Sequence, residues 1–279
     1  MTRLIPATIL ACLLCGLYPR GAHAGCDYYL YKPLQFADGK VQGCVSKKEV
    51  AAAFGRKVKI GTDQDDGYEF LSGERVMNCS DYIKVKKKGL EAKSTFDKSM
   101  ESFFIGTCGA LAGLRGSLVP KKDYVDIKTY PALEKFPVFL LPAYSGDEEA
   151  ELLAASNGGK NLKEYTLSKK IEINKMDKNL AFEVIYDDMA RSFELVAKGD
   201  FNRDGYADLL VFTASYSRTG TFRAYEYILL TIRDNSQEMY DVRSGDEGCL
   251  YEKGSYACSS EHRWSAFQKA SKEELQPTR

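Results

Sequence analysis

The sequence predicts an α+β protein in which a helix-containing, disulfide-bonded N-terminal lobe precedes a C-terminal antiparallel β meander. Three observations carry this. Phe96, Met100, Phe103, Phe104, Thr107, Leu111 and Leu114 recur at three- and four-residue steps, the period of a helix with one buried face. From Lys170 onward the pattern changes to short runs rich in β-branched and aromatic residues, separated by turn clusters. Of the six cysteines that follow residue 24, four lie between Gly25 and Val119.

The first residues read as an export signal. Arg3 supplies a short basic region, Leu4 to Tyr18 an apolar run, and Ala22-His23-Ala24 a small-x-small trio before Gly25. Pro6 and Gly16 interrupt the run, which is shorter than the roughly 20 residues of a membrane span, so cleavage near Gly25 is expected. Neither Ile9-Leu10-Ala11-Cys12 nor His23-Ala24-Gly25-Cys26 supplies a clean lipid-anchor box. No later segment is apolar enough to cross a bilayer, and the expected location is periplasmic or secreted. Lys plus Arg and Asp plus Glu balance at 39 each, which gives no basic footprint for nucleic acid. The four lysines between Lys84 and Lys88 are expected on a solvated strand edge or turn.

Export sets the redox compartment. Cys12 and Cys15 leave with the signal, and an even set of six in an oxidising environment predicts three disulfides. Short separation selects Cys249 with Cys258, and Cys26–Cys44 and Cys79–Cys108 follow by elimination. The chain has no Cys-x-x-Cys pair, and a zinc site would have His262 as its one available histidine.

The organisation expected is a signal over 1–24, the helix-containing, cysteine-bearing lobe over 25–130 and the β lobe over 131–279. Ser46-Lys47-Lys48-Glu49 is a capping box that opens a short helix stopped at Gly55, and a second helix starts near Ser94 or Thr95. Val138 to Leu141, between Pro137 and Pro142, reads as a buried strand. Asp147 opens an acidic-first helix that Asn157-Gly158-Gly159 ends. Strands follow at 171–173, 181–186, 193–197, 208–216, 223–232 and 238–242. The alternation of Leu180, Phe182, Val184 and Tyr186 predicts one buried and one wet face. The tail from Ser260 to Leu275 is predicted as a helix carrying Trp264 and Phe267.

One constellation carries chemistry: Asp200-x-Asn202-x-Asp204-Gly205-x-x-Asp208. Calcium takes six to eight oxygen ligands, and carboxylates or amides at every second residue can point at one centre. Gly205 permits the backbone reversal, Tyr206 can give its carbonyl, and Asp208 closes the shell from the ninth position. A helical EF-hand would need Glu where Val211 stands, and the apolar β run Leu209-Leu210-Val211-Phe212 follows instead of a helix. The meander therefore carries one calcium-type loop, with Asp200, Asn202, Asp204, Tyr206 and Asp208 as the metal-site candidates and calcium as the expected ion.

The stretch from Gly199 to Val211 resembles the aspartate-rich loops of FG-GAP and VCBS repeats. That resemblance implies a calcium-binding loop joining two antiparallel strands, in proteins of extracellular adhesion or binding. Here the loop is a single good copy. The nearest echo, Thr62 to Phe70, lacks an oxygen ligand at its ninth position, so a propeller of repeated blades is not expected.

The function expected is a non-catalytic, calcium-stabilised binding module for an unknown protein or glycan ligand. The alternative is a secreted hydrolase acting through carboxylates, with calcium structural. His262 is the one histidine left for a nucleophilic mechanism, and it sits in the polar tail.

Overall fold

The computed structural model describes residues 26–61, 68–69, 73–88, 95–143, 145–176, 180–244, 248–262 and 264. The signal segment, most of the 62–70 echo and the tail beyond Trp264 lie outside them.

Ten of the twelve described strands form one antiparallel sheet, and the other two, β3 (Tyr68–Glu69) and β4 (Arg75–Val76), pair with each other. Its centre is β7 (Met189–Gly199), β8 (Asp208–Ser217) and β9 (Arg223–Thr231), paired in sequence order. β10 (Asp241–Arg243), β11 (Gly248–Glu252) and β12 (Ser255–Ser259) continue one side. On the other side β7 has two neighbours along its length. Its first half pairs with β6 (Ala181–Tyr186), which in turn pairs with β5 (Glu172–Lys175). Past a register shift between Leu195 and Ala197, its second half pairs with β1 (Tyr28–Phe36), and β2 (Gly39–Val45) forms the edge.

The apolar runs of the central strands follow from burial on both faces. Leu210, Phe212, Tyr227 and Leu229 enter the core beneath α1 (Lys47–Ala53), α2 (Cys79–Lys87) and α3 (Thr95–Gly116). Their neighbours Leu209, Val211, Ile228 and Leu230 enter a second core with Phe136, Val138, Leu152 and Tyr165. A strand buried on both sides needs no polar alternation, whereas the expected wet face was read from β6, nearer the rim. α4 (Gly146–Asn157) and α5 (Leu162–Lys169) cover this second face.

The predicted capping box is formed: Glu49 N–H donates to the Ser46 hydroxyl, and Ser46 N–H donates to the Glu49 carboxylate. In α3, Phe104, Cys108, Leu111 and Leu114 are fully buried, but Phe96 and Phe103 at the start of the stripe stay exposed. All three expected disulfides are present, with Cα separations of 5.2 Å for Cys26–Cys44, 5.1 Å for Cys79–Cys108 and 4.0 Å for Cys249–Cys258.

Two local expectations are corrected. Lys84 to Lys87 form the last turn of α2, not a strand edge; Asn78 caps that helix by accepting from Asp81 N–H, and the terminal lysines suit its negative end. Val138–Leu140 is a 3₁₀ turn, buried but unpaired as a strand, because the prolines on either side remove ladder donors. Of the predicted C-terminal helix, Ser260–His262 is a single 3₁₀ turn.

Candidate functional site

Residues 200–207 connect β7 to β8, and the connection is strapped along one side by residues 118–122. Leu118 and Asp200 exchange backbone hydrogen bonds at 2.9 and 3.1 Å. The amides of Lys121 and Lys122 both donate to the Gly205 carbonyl, and Ala207 N–H donates to the Lys122 carbonyl. Arg203 and Gly205 take positive φ, 67° and 91°, so the chain reverses tightly, and glycine relieves the second of these. Beneath the loop, Trp264 is buried and its indole N–H donates to the Phe201 carbonyl at 3.2 Å. Gly113 of α3 lies so close that a Cβ there would meet Leu210, Trp264 and Phe201.

Each predicted ligand has a definite place. Asp208, at the start of β8, has no exposed surface; one oxygen accepts from Phe201 N–H at 2.9 Å and Asn202 N–H at 3.4 Å, the other from the Thr231 hydroxyl. Asp200 is 2% exposed: its Oδ2 accepts from Gly205 N–H at 3.0 Å, and its Oδ1 is buried with no hydrogen-bond partner. Asn202 and Asp204 sit at the rim, where the Asn202 amide donates to Asp204 Oδ2 at 2.9 Å and Asp204 N–H donates to Asn202 Oδ1 at 3.0 Å. Tyr206 N–H donates to Asp204 Oδ1. Arg243 of β10 approaches Asp204 Oδ2 at 3.6 Å. Among the described residues no three His, Cys, Asp or Glu side chains are gathered as a metal site.

The electrostatics of the loop follow from burial. Desolvation pushes the Asp208 carboxyl up to about 7, with Asp204 adding to the shift, against the opposing bonds from Thr231 and the two amides. Burial likewise raises Asp200, again with Asp204 contributing. Two strands away, Asp241 is also fully buried, and burial raises its carboxyl as well. Asp241, however, carries its own counter-ion: Arg233 Nε lies 2.7 Å from its Oδ2. No lysine or arginine pairs with Asp200 or Asp208 among the described residues.

Residues 194–227 match the FG-GAP repeat family. The FG-GAP segment runs from the end of β7 through the loop and β8 into β9, and the match is confined to those residues. No curated protein and no solved structure matches the chain. The FG-GAP segment and the three disulfides fit an extracellular or exported interaction module. No helix among the described residues is long and apolar enough to cross a membrane.

Sequence reasoning missed two supports of the loop. Trp264 was placed in a tail helix, although its indole carries the loop's backbone. The strap at 118–122 is not announced by the sequence, because Pro120-Lys121-Lys122 carries no pattern that signals pairing.

Proposed function

We propose that this chain is an exported, non-catalytic interaction module whose sheet is braced by one calcium ion held by Asp200, Asn202, Asp204, Asp208 and the Tyr206 carbonyl. One observation carries the reading: two carboxylates are buried at the loop without a basic partner among the described residues, and one oxygen of Asp200 has no hydrogen-bond partner. A buried, uncompensated carboxylate costs several kcal/mol unless it protonates or meets a cation. The donor set, all oxygen, suits a hard cation such as calcium rather than zinc. Bound there, calcium supplies charge compensation and rigidity, and affinities of about 10⁻⁴ to 10⁻³ M suffice for extracellular modules.

Thermal melts in calcium and in chelator test this, on the native protein and on Asp204→Ala. Calcium at ten to a hundred times Kd should stabilise the native protein by about 1 to 3 kcal/mol and the variant not at all. Equal melting points for the native protein in both conditions would refute the brace. Turnover of a glycan, ester or peptide panel would instead favour the carboxylate hydrolase.

A further inference from the structure

A cleft of about 790 Å³ opens beside the loop. On one wall stand Tyr206, the strap residue Lys122 and, just past the strap, Tyr124. On the other stand the connection from β9 to β10, residues 233–238, and the β11–β12 turn, residues 251–254. The volume lies within the range of small-ligand sites, roughly 300 to 1,000 Å³. The far wall is fixed by one buried group. Asp241 accepts from Tyr251 N–H at 2.7 Å and from the Gln237 amide at 3.1 Å, and it pairs with Arg233, so three cleft-lining residues are held by a single carboxylate.

We propose that this cleft is the ligand site of the module and that its ligand is a neutral oligosaccharide. The inference rests on reading the chain as a binding module. Charge argues for neutrality: Lys122, Arg233 and Lys253 line the cleft together with Asp234, Glu238 and Glu252, and because Arg233 is already paired with the buried Asp241, two basic and three acidic groups remain, close to balance. A polyanion or polycation would meet repulsion as well as attraction there. The surface is polar, yet the half-buried Tyr124 and Tyr206 place aromatic rings in it, the combination that stacks on the C–H face of a sugar while neighbouring groups bond its hydroxyls. The backbone argues against a peptide. Capture of an extended peptide uses free main-chain groups along a strand edge. Here four of the lining amides, on both walls, are already engaged: Lys122 on Gly205, Arg233 on the Gln237 side chain, Ser236 on Asp234 and Tyr251 on Asp241. Recognition falls to side chains.

Calorimetric titration of the full chain with cellotetraose, chitotetraose, maltotetraose and mannotetraose tests this, with oligogalacturonate and hexalysine as charged probes. At least one neutral probe should bind with Kd below about 1 mM, more tightly than either charged probe. Tyr124→Ala and Glu238→Gln, which leave the five loop residues intact, should each weaken that binding at least about tenfold. In chelator both variants should melt cooperatively close to the native midpoint, which shows them folded whatever calcium does. No neutral binder, tighter binding of a charged probe, or native affinity in both variants would overturn the inference. The calcium melt reads the other claim separately: stabilisation by calcium with no sugar bound sinks only the cleft, and sugar bound without a calcium effect sinks only the brace.

Discussion

Asp208 and Asp241 occupy equivalent places and are treated oppositely. Both open short distances from the same residue, Thr231 of β9, which is paired in register with Asp208 on one side and Asp241 on the other. Both are fully buried. Asp241 has Arg233 against it, so its charge is compensated within the chain. Asp208 is surrounded by amide and hydroxyl donors, with Asp204 adding negative charge nearby. Donors of this kind orient a carboxylate but do not cancel its charge. The ion pair with Arg233 marks Asp241 as scaffold; the proposed brace puts a cation from outside beside Asp200 and Asp208, which have no such partner among the described residues.

The largest expected effect falls on the scaffold side. Asp241→Ala strands Arg233, Gln237 and the Tyr251 amide, and should cost about 3 to 5 kcal/mol in urea denaturation, equally with calcium or chelator. A loss that depended on calcium would erase the distinction between the two aspartates.

At Asp208 the sign should reverse with conditions. Because the folded carboxyl is raised from 3.8 to about 7, the folded state holds the proton more tightly than the unfolded chain. In chelator this contribution is fully present below about pH 4 and is lost as the pH rises through about 7, a change of up to about 4 kcal/mol. The groups facing Asp208 are Asp204, the Thr231 hydroxyl and the amides of Phe201 and Asn202, of which Asp204 alone is charged. Asp208→Asn removes the charge and keeps an acceptor for the two amides. At pH 8 in chelator it should match or exceed the native protein in stability; in calcium it should fall below it. Parallel pH profiles for the two proteins in chelator would contradict the comparison.

Trp264→Phe gives the smallest effect. It keeps most of the buried surface and leaves the Phe201 carbonyl without its donor, so a loss of about 1 to 2 kcal/mol is expected in thermal melts. The calcium increment should persist, since no proposed ligand is touched.

The sequence made the meander legible because its turns and β-branched runs are local signals, and the nine-residue spacing from Asp200 to Asp208 marked the loop for the same reason. What it hid depends on distant partners. Leu209-Leu210-Val211-Phe212 reads as apolar in any setting, and burial on both faces exists only once α3 and residues 136–165 have packed. The hairpin of β1 and β2 was obscured because Lys32 and Pro33 interrupt the apolar alternation of Tyr28, Leu30, Leu34 and Phe36. Arg233 and Asp241 look like surface charges in sequence, and their pairing emerges from the turn between β9 and β10.

The central claim is that the loop takes its missing positive charge from solution. Calcium titration calorimetry on the native protein at pH 8 measures this most directly. The account predicts one ion per chain, with no binding to Asp204→Ala and unchanged stoichiometry for Trp264→Phe. A native protein that takes up no calcium at millimolar concentration, or an Asp204→Ala variant that binds it as the native protein does, would contradict it.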